Sequence, residues 1–469
     1  MNKVAKQKFF ENVTIIDIAE EGKGVGKADD FVLFVDKAIP GDIADVQVYR
    51  SKKNFGEAKI VELKQPSEYR TEPFCEHFGT CGGCKWQHMT YASQLKFKQK
   101  SVTDALTRIA KIDIAGMLPI IASPEDKYYR NKLEYTFSNK RWLYDGESRD
   151  DEALNMNALG FHIPGRFDKI LDINHCWLQA EPSNSLRNSI REFVVQQGYT
   201  FYDIKGHSGA LRNLIVRTSS TGETMVIVVF AYADEDEVNK LMGFIDQKFP
   251  EITSLLYIIN QKKNDTIFDQ EVEVYKGAAY IHEEMLGIRF RIGPKSFYQT
   301  NSIQALKLYQ IARDFAAFKG DELVYDLYTG AGTIANFIAG NVREVVGIEY
   351  VPSAIEDAKI NSAINNITNT KFFAGDMKDV LAADFVAAHG KPDVIITDPP
   401  RAGMHPDVVA RLMEIEAPKI VYVSCNAATQ ARDLLVLKDK YDTVKIQPVD
   451  MFPHTQHVEN VVLLVLRSS

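Results

Sequence analysis

The feature that most constrains the fold of this chain is a regular alternation of strand-like and helix-like segments from residue 321 to residue 467. An apolar strand, a glycine turn and a helix occur in ELVYDLYTGAGTIANFIAG, and REVVGIEYVPSAIEDAKINSAINN repeats the strand and the helix. Strands that alternate with helices form a largely parallel sheet with helices on both faces. We therefore predict an α/β, Rossmann-like domain over residues 291–469.

Two features of this domain predict where a cofactor binds. The glycine turn at residues 330–332 lets a ligand approach the backbone, and Glu349 ends the next strand, where a carboxylate can accept both ribose hydroxyls. This arrangement fits either a dinucleotide or S-adenosylmethionine. The segment TDPPR, residues 397–401, favours S-adenosylmethionine, because methyltransferases that act on bases or on glutamine carry Asn/Asp-Pro-Pro at this strand end. The alternative is a proline-stiffened loop without a function.

The following strand ends on a cysteine, in the segment YVSCNAAT. Cysteine is often buried as a small hydrophobe, and this stretch alone favours that reading of Cys425. A thiol at the carboxyl end of a strand also lies where open α/β sheets bind their ligands. The helix that follows could lower the pKa of a reactive thiol through its dipole.

The other four cysteines lie in the first 180 residues, and three of them occur within ten positions. Cys75, Cys81 and Cys84 have glycines between them, and Cys176 can supply a fourth ligand from a distant segment. Four thiolates suit either zinc or an iron–sulfur cluster. Zinc ribbons usually have two CxxC pairs whereas this chain has one, and the spacing alone leaves both metals open.

The two parts before residue 291 differ in composition. Alternating apolar residues and regularly spaced turns over residues 1–63 predict a small antiparallel β-barrel, a fold that often binds oligonucleotides. Residues 64–290 mix helix-like and strand-like runs and predict an α+β domain. The chain has a net charge of −8, yet residues 46–140 contain 16 Lys or Arg against 10 Asp or Glu. This asymmetry is compatible with a basic face that contacts phosphates, although a solvated helix would look the same.

Long apolar segments are absent from the sequence. No stretch approaches the ~20 apolar residues of a membrane span, and the N-terminus does not read as a signal peptide. We expect a cytoplasmic protein without a membrane partner, and nothing predicts an obligate protein partner.

Three short motifs in a fixed order make the pattern specific. DPPR at 398–401, SCN at 424–426 and HVE at 457–459 occur in the order seen in RNA uracil-5 methyltransferases, and the whole chain resembles that family. The resemblance implies a class I methyltransferase domain that uses S-adenosylmethionine. It also implies an N-terminal TRAM (OB-like) RNA-binding barrel and a 4Fe-4S cluster held by the four N-terminal cysteines.

The resemblance also implies roles for individual residues. Cys425 would be the nucleophile and Glu459 the base, while the cofactor would be contacted by Gln299, Tyr328, Glu349, Asp376 and Asp398. Thr333 stands where relatives commonly have Asn, Ala427 where they have Pro, and Thr329 where they often have Cys. None of these departures removes a reacting group.

Uracil chemistry explains why such an enzyme needs a thiol and a base. Carbon 5 of uracil is a poor nucleophile, but addition of a thiolate to carbon 6 gives an enolate whose carbon 5 can attack a sulfonium methyl group. The proton on carbon 5 must then be removed by a base before the enzyme is expelled. His454 and His457 lie nearby in sequence, but a His in such a loop more often orders it, and neither is assigned a catalytic role.

The expected partner is RNA, with a single-stranded or flipped uridine as the target. Within the family, tRNA enzymes are typically shorter and lack the barrel and the cysteine loop, so both features favour 23S rRNA. The alternatives are a tRNA enzyme, an amino-group methyltransferase that uses DPPR alone, and a non-catalytic RNA-binding protein. Candidate RNA contacts are Phe74, His77, Phe78, Trp86, His88, Arg130 and Lys132.

Overall fold

The N-terminal strands form a closed barrel in the computed structural model, which describes residues 8–19, 21–148, 151 and 154–468. The strands are β1 Phe9–Ile18, β2 Gly24–Ala28, β3 Phe31–Asp36, β4 Ile43–Ser51 and β5 Phe55–Gln65, in the order β1-β2-β3-β5-β4. Antiparallel pairing of β4 with β1 closes the barrel, and alternate side chains such as Ile15, Leu33 and Val46 fill it. The prediction of a wholly antiparallel barrel is wrong for one pair, because β4 crosses to the other side of β5 and leaves β3 and β5 to pair in parallel. Closure removes the free sheet edges that would otherwise pair with other chains.

The cysteine loop, residues 66–90, connects the barrel to the rest of the molecule. Arg70 donates two hydrogen bonds of 2.7 Å to the buried carboxylate of Asp42, which anchors the loop to the barrel. The loop leads into helix α1, Tyr91–Ala105, which continues as a single π-helical turn, Leu106–Ala110. Helix α1 packs against the catalytic sheet described below, through Val102, Ala105 and Leu106.

The central part contains a mostly antiparallel sheet of seven strands. Its elements are β6 Lys132–Ser138, β7 Ala158–Ile163, β8 Arg166–Asp172, α2 Ser183–Gln196, β9 Leu211–Thr218, β10 Thr224–Phe230, α3 Glu235–Lys248, β11 Ser254–Ile259 and β12 Glu273–Gly277. The strand order is β12-β11-β10-β9-β6-β7-β8, and only β10 and β11 pair in parallel. Strands β9 and β10 are buried on both faces, as their apolar sequences require.

The catalytic sheet has the predicted Rossmann-like arrangement. After the hairpin β13 Ile281–Met285 and β14 Ile288–Ile292, its elements are α4 Ser302–Ala316, β15 Leu323–Leu327, α5 Thr333–Ile338, β16 Glu344–Glu349, α6 Pro352–Ile364, β17 Thr370–Ala374, α7 Met377–Val380, α8 Ala383–His389, β18 Val394–Thr397, α9 Pro406–Ile415, β19 Lys419–Ser424, α10 Ala427–Leu437, β20 Tyr441–Val449 and β21 Glu459–Leu466. The order is β17-β16-β15-β18-β19-β21-β20. Five strands are parallel, and β21 runs antiparallel between β19 and β20.

A continuous apolar core joins the two seven-stranded sheets. Side chains of the central sheet, such as Ile227, lie in one cluster with Phe290 of the hairpin, Leu308 of α4 and Val421 of the catalytic sheet. Strand β5 ends at Gln65, two residues after the domain limit predicted at 63/64, and β14 spans the limit predicted at 290/291. The domain limits therefore stay predictions. Among the described residues, no helix is both long and apolar enough to cross a lipid bilayer.

Candidate active site

Three sequence-predicted residues meet at one edge of the catalytic sheet. Asp398 follows β18 and Cys425 follows β19, so both lie at the carboxyl ends of adjacent parallel strands. Strand β21 runs in the opposite direction, and its first residue, Glu459, lies at the same edge. Ser424 pairs with Asn460, which brings Glu459 next to Cys425.

The acids at this edge are buried and hold their protons near neutral pH. Burial and the neighbouring Asp398 raise the pKa of Glu459 to about 8. Burial and the adjacent Asp326 raise the pKa of Asp398 to about 7, and burial does the same for Asp326. These carboxyl groups can therefore gain or lose a proton close to physiological pH.

The thiol of Cys425 lies among these acids and one cation. Burial, Glu459 and Asp398 together raise the pKa of Cys425 to about 11, while the guanidinium of Arg401 lowers it. Asn426 caps α10 by accepting hydrogen bonds from the N–H groups of Ala428 and Thr429. The helix N-terminus expected from the sequence is present, but burial and the two carboxyl groups outweigh the groups that favour the thiolate.

An open cleft of about 600 Å³ exposes Cys425 to solvent. One wall consists of Cys425, Asn426 and the start of α10, together with Arg401 and His457. The opposite walls come from the end of β1, from Lys85 of the cysteine loop and from α1 with its π-helical turn. Three separate parts of the chain thus face the thiol across the cleft, whose volume is within the range of ligand pockets in proteins.

Four of the predicted cofactor residues follow adjacent parallel strands. They are Tyr328 after β15, Glu349 at the end of β16, Asp376 after β17 and Asp398 after β18. Glu349 accepts hydrogen bonds from the N–H groups of Gly330, at 3.2 Å, and Val351, at 3.0 Å. The carboxylate therefore ties the glycine turn to the second strand.

The backbone at the glycine turn is strained where a ligand would approach it. Tyr328 has a φ of 63°, a conformation that costs a bulky residue energy and is concentrated at functional sites. Gly332 has a φ of 73°, and a Cβ atom there would come within 2.9 Å of Ala358 and Asn336. Only glycine fits at position 332, and the predicted approach of a cofactor to this turn stays a prediction.

Gln299 and Asp376 are held by local contacts. Gln299 is buried, and its carbonyl accepts a hydrogen bond of 2.9 Å from the side chain of Asn131. Asp376 is half-exposed and caps α7 by accepting a hydrogen bond from the N–H of Lys378. Thr333, which departs from the family pattern, lies 3.2 Å from the hydroxyl of Tyr309.

Asp326 was not among the sequence-predicted residues. It lies in β15, and its carboxylate accepts hydrogen bonds from the hydroxyl of Thr329 and from the N–H of Ala335, at 3.1 Å for the second. Its other oxygen is buried and has no partner among the described residues. The signal in the sequence was an acid in the otherwise apolar strand LVYDL.

The four N-terminal cysteines lie close enough to affect one another. Burial raises the pKa of all four thiols, to about 12 for Cys81 and Cys84, and neighbouring thiols add to the increase at Cys81, Cys84 and Cys176. The N–H of Gly83 donates to Sγ of Cys81 at 3.4 Å, and backbone groups near Cys75 and Cys176 favour their thiolates. Among the described residues, no group of three or more His, Cys, Asp or Glu is arranged to hold one metal ion.

The chemistry of this donor set suits a metal centre without deciding between two kinds. Four cysteine thiolates can hold either one tetrahedral zinc ion or an iron–sulfur cluster. Cys75, Cys81, Cys84 and Cys176 are the residues that would hold it.

Three of the candidate RNA contacts are buried and not available to RNA. His77 and His88 are each only 5% exposed and Trp86 is 2% exposed, so the prediction is wrong for these three. His77 accepts a hydrogen bond from the N–H of Asn174, and the indole N–H of Trp86 donates to the carbonyl of Gly22 in the barrel. His77 and Trp86 thus hold the cysteine loop against the central part and the barrel.

Comparisons with known proteins agree over nearly the whole chain. The family model described as tRNA (uracil-5-)-methyltransferase matches residues 220–467, and the TRAM domain model matches residues 11–61. A protein of Bacteroides thetaiotaomicron named as an uncharacterized RNA methyltransferase is 57% identical over 454 residues, which are 96% of this chain and 100% of the relative. A protein of Porphyromonas gingivalis with the same name is 56% identical over 96% of this chain and 99% of its own length.

One solved structure is similar along the full length. It is the Pyrococcus abyssi tRNA (uracil-54, C5)-methyltransferase in complex with S-adenosyl-L-homocysteine, with a TM-score of 0.74 and 28% sequence identity. The match covers 96% of this chain and 99% of that protein. The barrel, the central part and the catalytic sheet therefore all have counterparts in that protein.

Proposed function

Since this chain belongs to the RNA uracil-5-methyltransferase family, we propose that it methylates carbon 5 of a uridine through a covalent bond from Cys425. The observation that carries this proposal is the meeting, at one edge of the sheet, of a buried acid, Glu459, and a thiol, Cys425, that lines an open cleft. A methyltransferase acting on an amino group would need neither group.

Cys425 begins the reaction by adding to the uracil ring. The new bond joins Sγ to carbon 6, and the electron pair of the 5,6 double bond moves toward carbon 5 and the carbonyl oxygen. S-Adenosylmethionine supplies the electrophilic methyl group when it is bound. Arg401 favours the thiolate form of Cys425 before attack, because its positive charge offsets the neighbouring acids.

Glu459 completes the reaction by removing the proton from carbon 5, after which the carbon–sulfur bond breaks and the double bond returns. Before attack, the thiol proton and any proton on Glu459 are released to solvent through the cleft that Cys425 lines. Glu459 accepts the carbon 5 proton only as the carboxylate, and with a pKa of about 8 a minor fraction of it is ionised at neutral pH. The thioether formed at Cys425 carries no charge, so it does not oppose the carboxylate at that stage.

We assign the methyl donor to the edge formed by Tyr328, Glu349, Asp376 and Asp398, together with Gln299. Glu349 is the ribose acceptor, and Asp376 lies where it can meet the adenine amino group. The bound S-adenosyl-L-homocysteine of the Pyrococcus abyssi enzyme supports this choice of cofactor. The four cysteines of the loop would hold a 4Fe-4S cluster that orders the loop, since methyl transfer requires no electrons.

The RNA substrate enters through the cleft, where the end of the barrel and α1 face Cys425. The target base must leave its stack to reach the thiol, at a cost of a few kcal/mol. The TRAM barrel supports an RNA substrate. We propose a cytoplasmic location because the RNA substrate is available there. We keep 23S rRNA as the proposed substrate.

A tRNA uridine is the second candidate, and one observation favours it. The Pyrococcus abyssi enzyme named for uracil-54 of tRNA is matched over 99% of its length, including the region of the barrel. The barrel therefore does not by itself separate rRNA enzymes from tRNA enzymes.

Transfer of a labelled methyl group tests the reaction and the substrate together. Purified protein is incubated with methyl-labelled S-adenosylmethionine and either 23S rRNA or tRNA, each lacking 5-methyluridine. We expect labelled 5-methyluridine in the rRNA. Label in tRNA alone would replace the rRNA assignment, and label on an amino group or no label in either RNA would contradict the proposed reaction.

A further inference from the structure

The segment Asp450–Val458 leads directly into the base Glu459, and it is held by buried polar contacts from outside its own domain. Lys98 of α1 is completely buried, and its ammonium group donates to Oδ1 of Asp450 at 2.6 Å and to the carbonyl of Phe452 at 2.9 Å. Tyr91, two turns earlier on α1, donates to Oδ2 of Asp450 at 3.0 Å. A buried charge pair this well satisfied is costly to assemble and serves to define one arrangement.

The cysteine loop contacts the same segment. The backbone N–H groups of Lys85 and Trp86 both donate to the carbonyl of His454, at 2.8 and 3.0 Å. Gln94 of α1 accepts a hydrogen bond of 2.8 Å from the N–H of His454. The segment before the base is therefore held from two sides by parts of the chain that precede the catalytic sheet by more than 200 residues in sequence.

A chain of hydrogen bonds continues from Lys98 to the cleft. The hydroxyl of Thr455 donates at 2.8 Å to the carbonyl of Phe452, which Lys98 also contacts. The N–H of His457 donates to the hydroxyl of Thr455 at 3.2 Å. The ring of His457 in turn accepts a hydrogen bond of 2.6 Å from Arg401, the cation beside Cys425.

From this continuous set of contacts we infer that Lys98 is a positioning residue, which acts through Thr455 and His457 to hold Arg401 beside the thiol of Cys425. Burial and the positive charges of Arg401 and Lys98 lower the pKa of His457 to about 4, which keeps its ring neutral and able to accept from Arg401. Helix α1 thus serves the reacting thiol as well as forming a wall of the cleft.

The inference rests on the proposed role of Cys425, and its test uses thiol reactivity rather than methyl transfer. The probe is iodoacetamide, and alkylation of the Cys425 peptide is followed by mass spectrometry between pH 7 and pH 11. Thr455→Val removes the hydroxyl at nearly unchanged volume. We expect its alkylation profile to move to higher pH, with alkylation about tenfold slower at pH 9, which corresponds to one pKa unit.

Two comparisons separate positioning from a general loss of structure. Thr455→Ser keeps the hydroxyl and should restore the parent profile, while Thr221→Val, at an exposed hydroxyl of the central part, should have no effect. Lys98→Gln should shift the profile in the same direction, whereas Lys96→Gln on the exposed side of α1 should not. If Lys98→Gln fails to fold by circular dichroism, Thr455→Val decides the question.

If folded Thr455→Val shows the same pH dependence of Cys425 alkylation as the parent protein, the inference is overturned, even if the enzyme methylates uridine normally. Conversely, the shift of the alkylation profile would be measurable in a protein that methylates no uridine. Failure of the inference and failure of the proposed function can therefore be told apart.

Discussion

The molecule contains two kinds of cysteine site, and burial is the largest cause of the raised thiol pKa at both. At Cys81, Cys84 and Cys176, neighbouring thiols add to the effect of burial, while backbone N–H groups, the side chain of Gln87 and, at Cys176, the cations Arg187 and Arg130 oppose it. At Cys425 the added groups are the acids Glu459 and Asp398, and the opposing group is Arg401. One site thus gathers thiols that raise one another's pKa, and the other has titratable acids that can exchange protons.

This difference shows that a thiol's pKa alone does not assign its chemistry. A thiol surrounded by thiols gains most from binding metal, because several thiolates can then share the positive charge. A single thiol beside a cation and two acids, open to a cleft, is suited to attack and release of a substrate. The predictions below test whether the two sites can be separated by substitution.

Replacing Cys425 should have the largest effect on activity. Cys425→Ala removes the atom that bonds to carbon 6, and we expect methyl transfer to fall by at least about 10³-fold, since covalent catalysis has no substitute group here. Binding of RNA and the iron content should be unchanged. Filter-binding of labelled RNA and iron analysis provide these controls, and full methylation activity in Cys425→Ala would remove the covalent scheme.

Replacing Glu459 should slow a later step. Glu459→Gln keeps the shape of the side chain but cannot take the proton from carbon 5, so turnover should fall by roughly 10²–10⁴-fold. A methylated protein–RNA adduct should then accumulate and survive on a denaturing gel. Glu416→Gln, at an exposed acid paired with Lys440, is the matched control. Rapid product release by Glu459→Gln would show that another group is the base.

Replacing a cysteine of the loop should affect metal and leave the chemistry largely intact. Anaerobically purified protein should contain about four irons per chain, and Cys84→Ser should lose them. Methyl transfer by Cys84→Ser should fall by less than about tenfold if the cluster orders the loop without reacting. Stoichiometric zinc in the parent, or iron retained in Cys84→Ser, would reject the assignment.

The smallest predicted effect is on stability and concerns Asp326, the buried acid next to Asp398. Burial raises the pKa of Asp326 to about 7 from the ~3.9 of an unfolded chain, so between these values the unfolded chain loses a proton that the folded chain keeps. The free energy of unfolding should therefore fall as pH rises through this range. Asp326→Asn should reduce that slope by up to about 1.4 kcal/mol per pH unit, as measured by urea denaturation. An unchanged slope would show that Asp326 is ionised throughout.

The local elements could be predicted from the sequence because their patterns are short-range. Apolar strands followed by helices predicted the parallel sheet. Alternating apolar residues with regularly spaced turns predicted the barrel, which is closed and matches the TRAM domain model. The motifs DPPR, SCN and HVE indicated the same edge, because each adjoins the end or the start of a strand. Cys425 and Glu459 were predicted together because of the family resemblance that these motifs carry.

The contacts between parts could not be predicted, because no local pattern encodes them. The segment QLKFKQKSV could equally be a solvated helix, yet Lys98 within it is fully buried against Asp450. The charges and the periodicity of a helical segment predict which face is polar. They do not predict that an acid from a distant part of the chain lies buried against that face. His454 and His457 were set aside for the same reason, and the structure links both to α1. Nothing in the sequence gave the position of β21 between β19 and β20.

The place of β21 in the sheet has a consequence for how the enzyme is made. Strands β15–β19 and Cys425 leave the ribosome before β21, which must fill the space between β19 and β20. A growing chain that has reached β20 contains the thiol and most of the cofactor edge but no base. On the proposed mechanism, a uridine that such a chain had methylated would stay bound to Cys425, because the final strand carries the group that removes the carbon 5 proton.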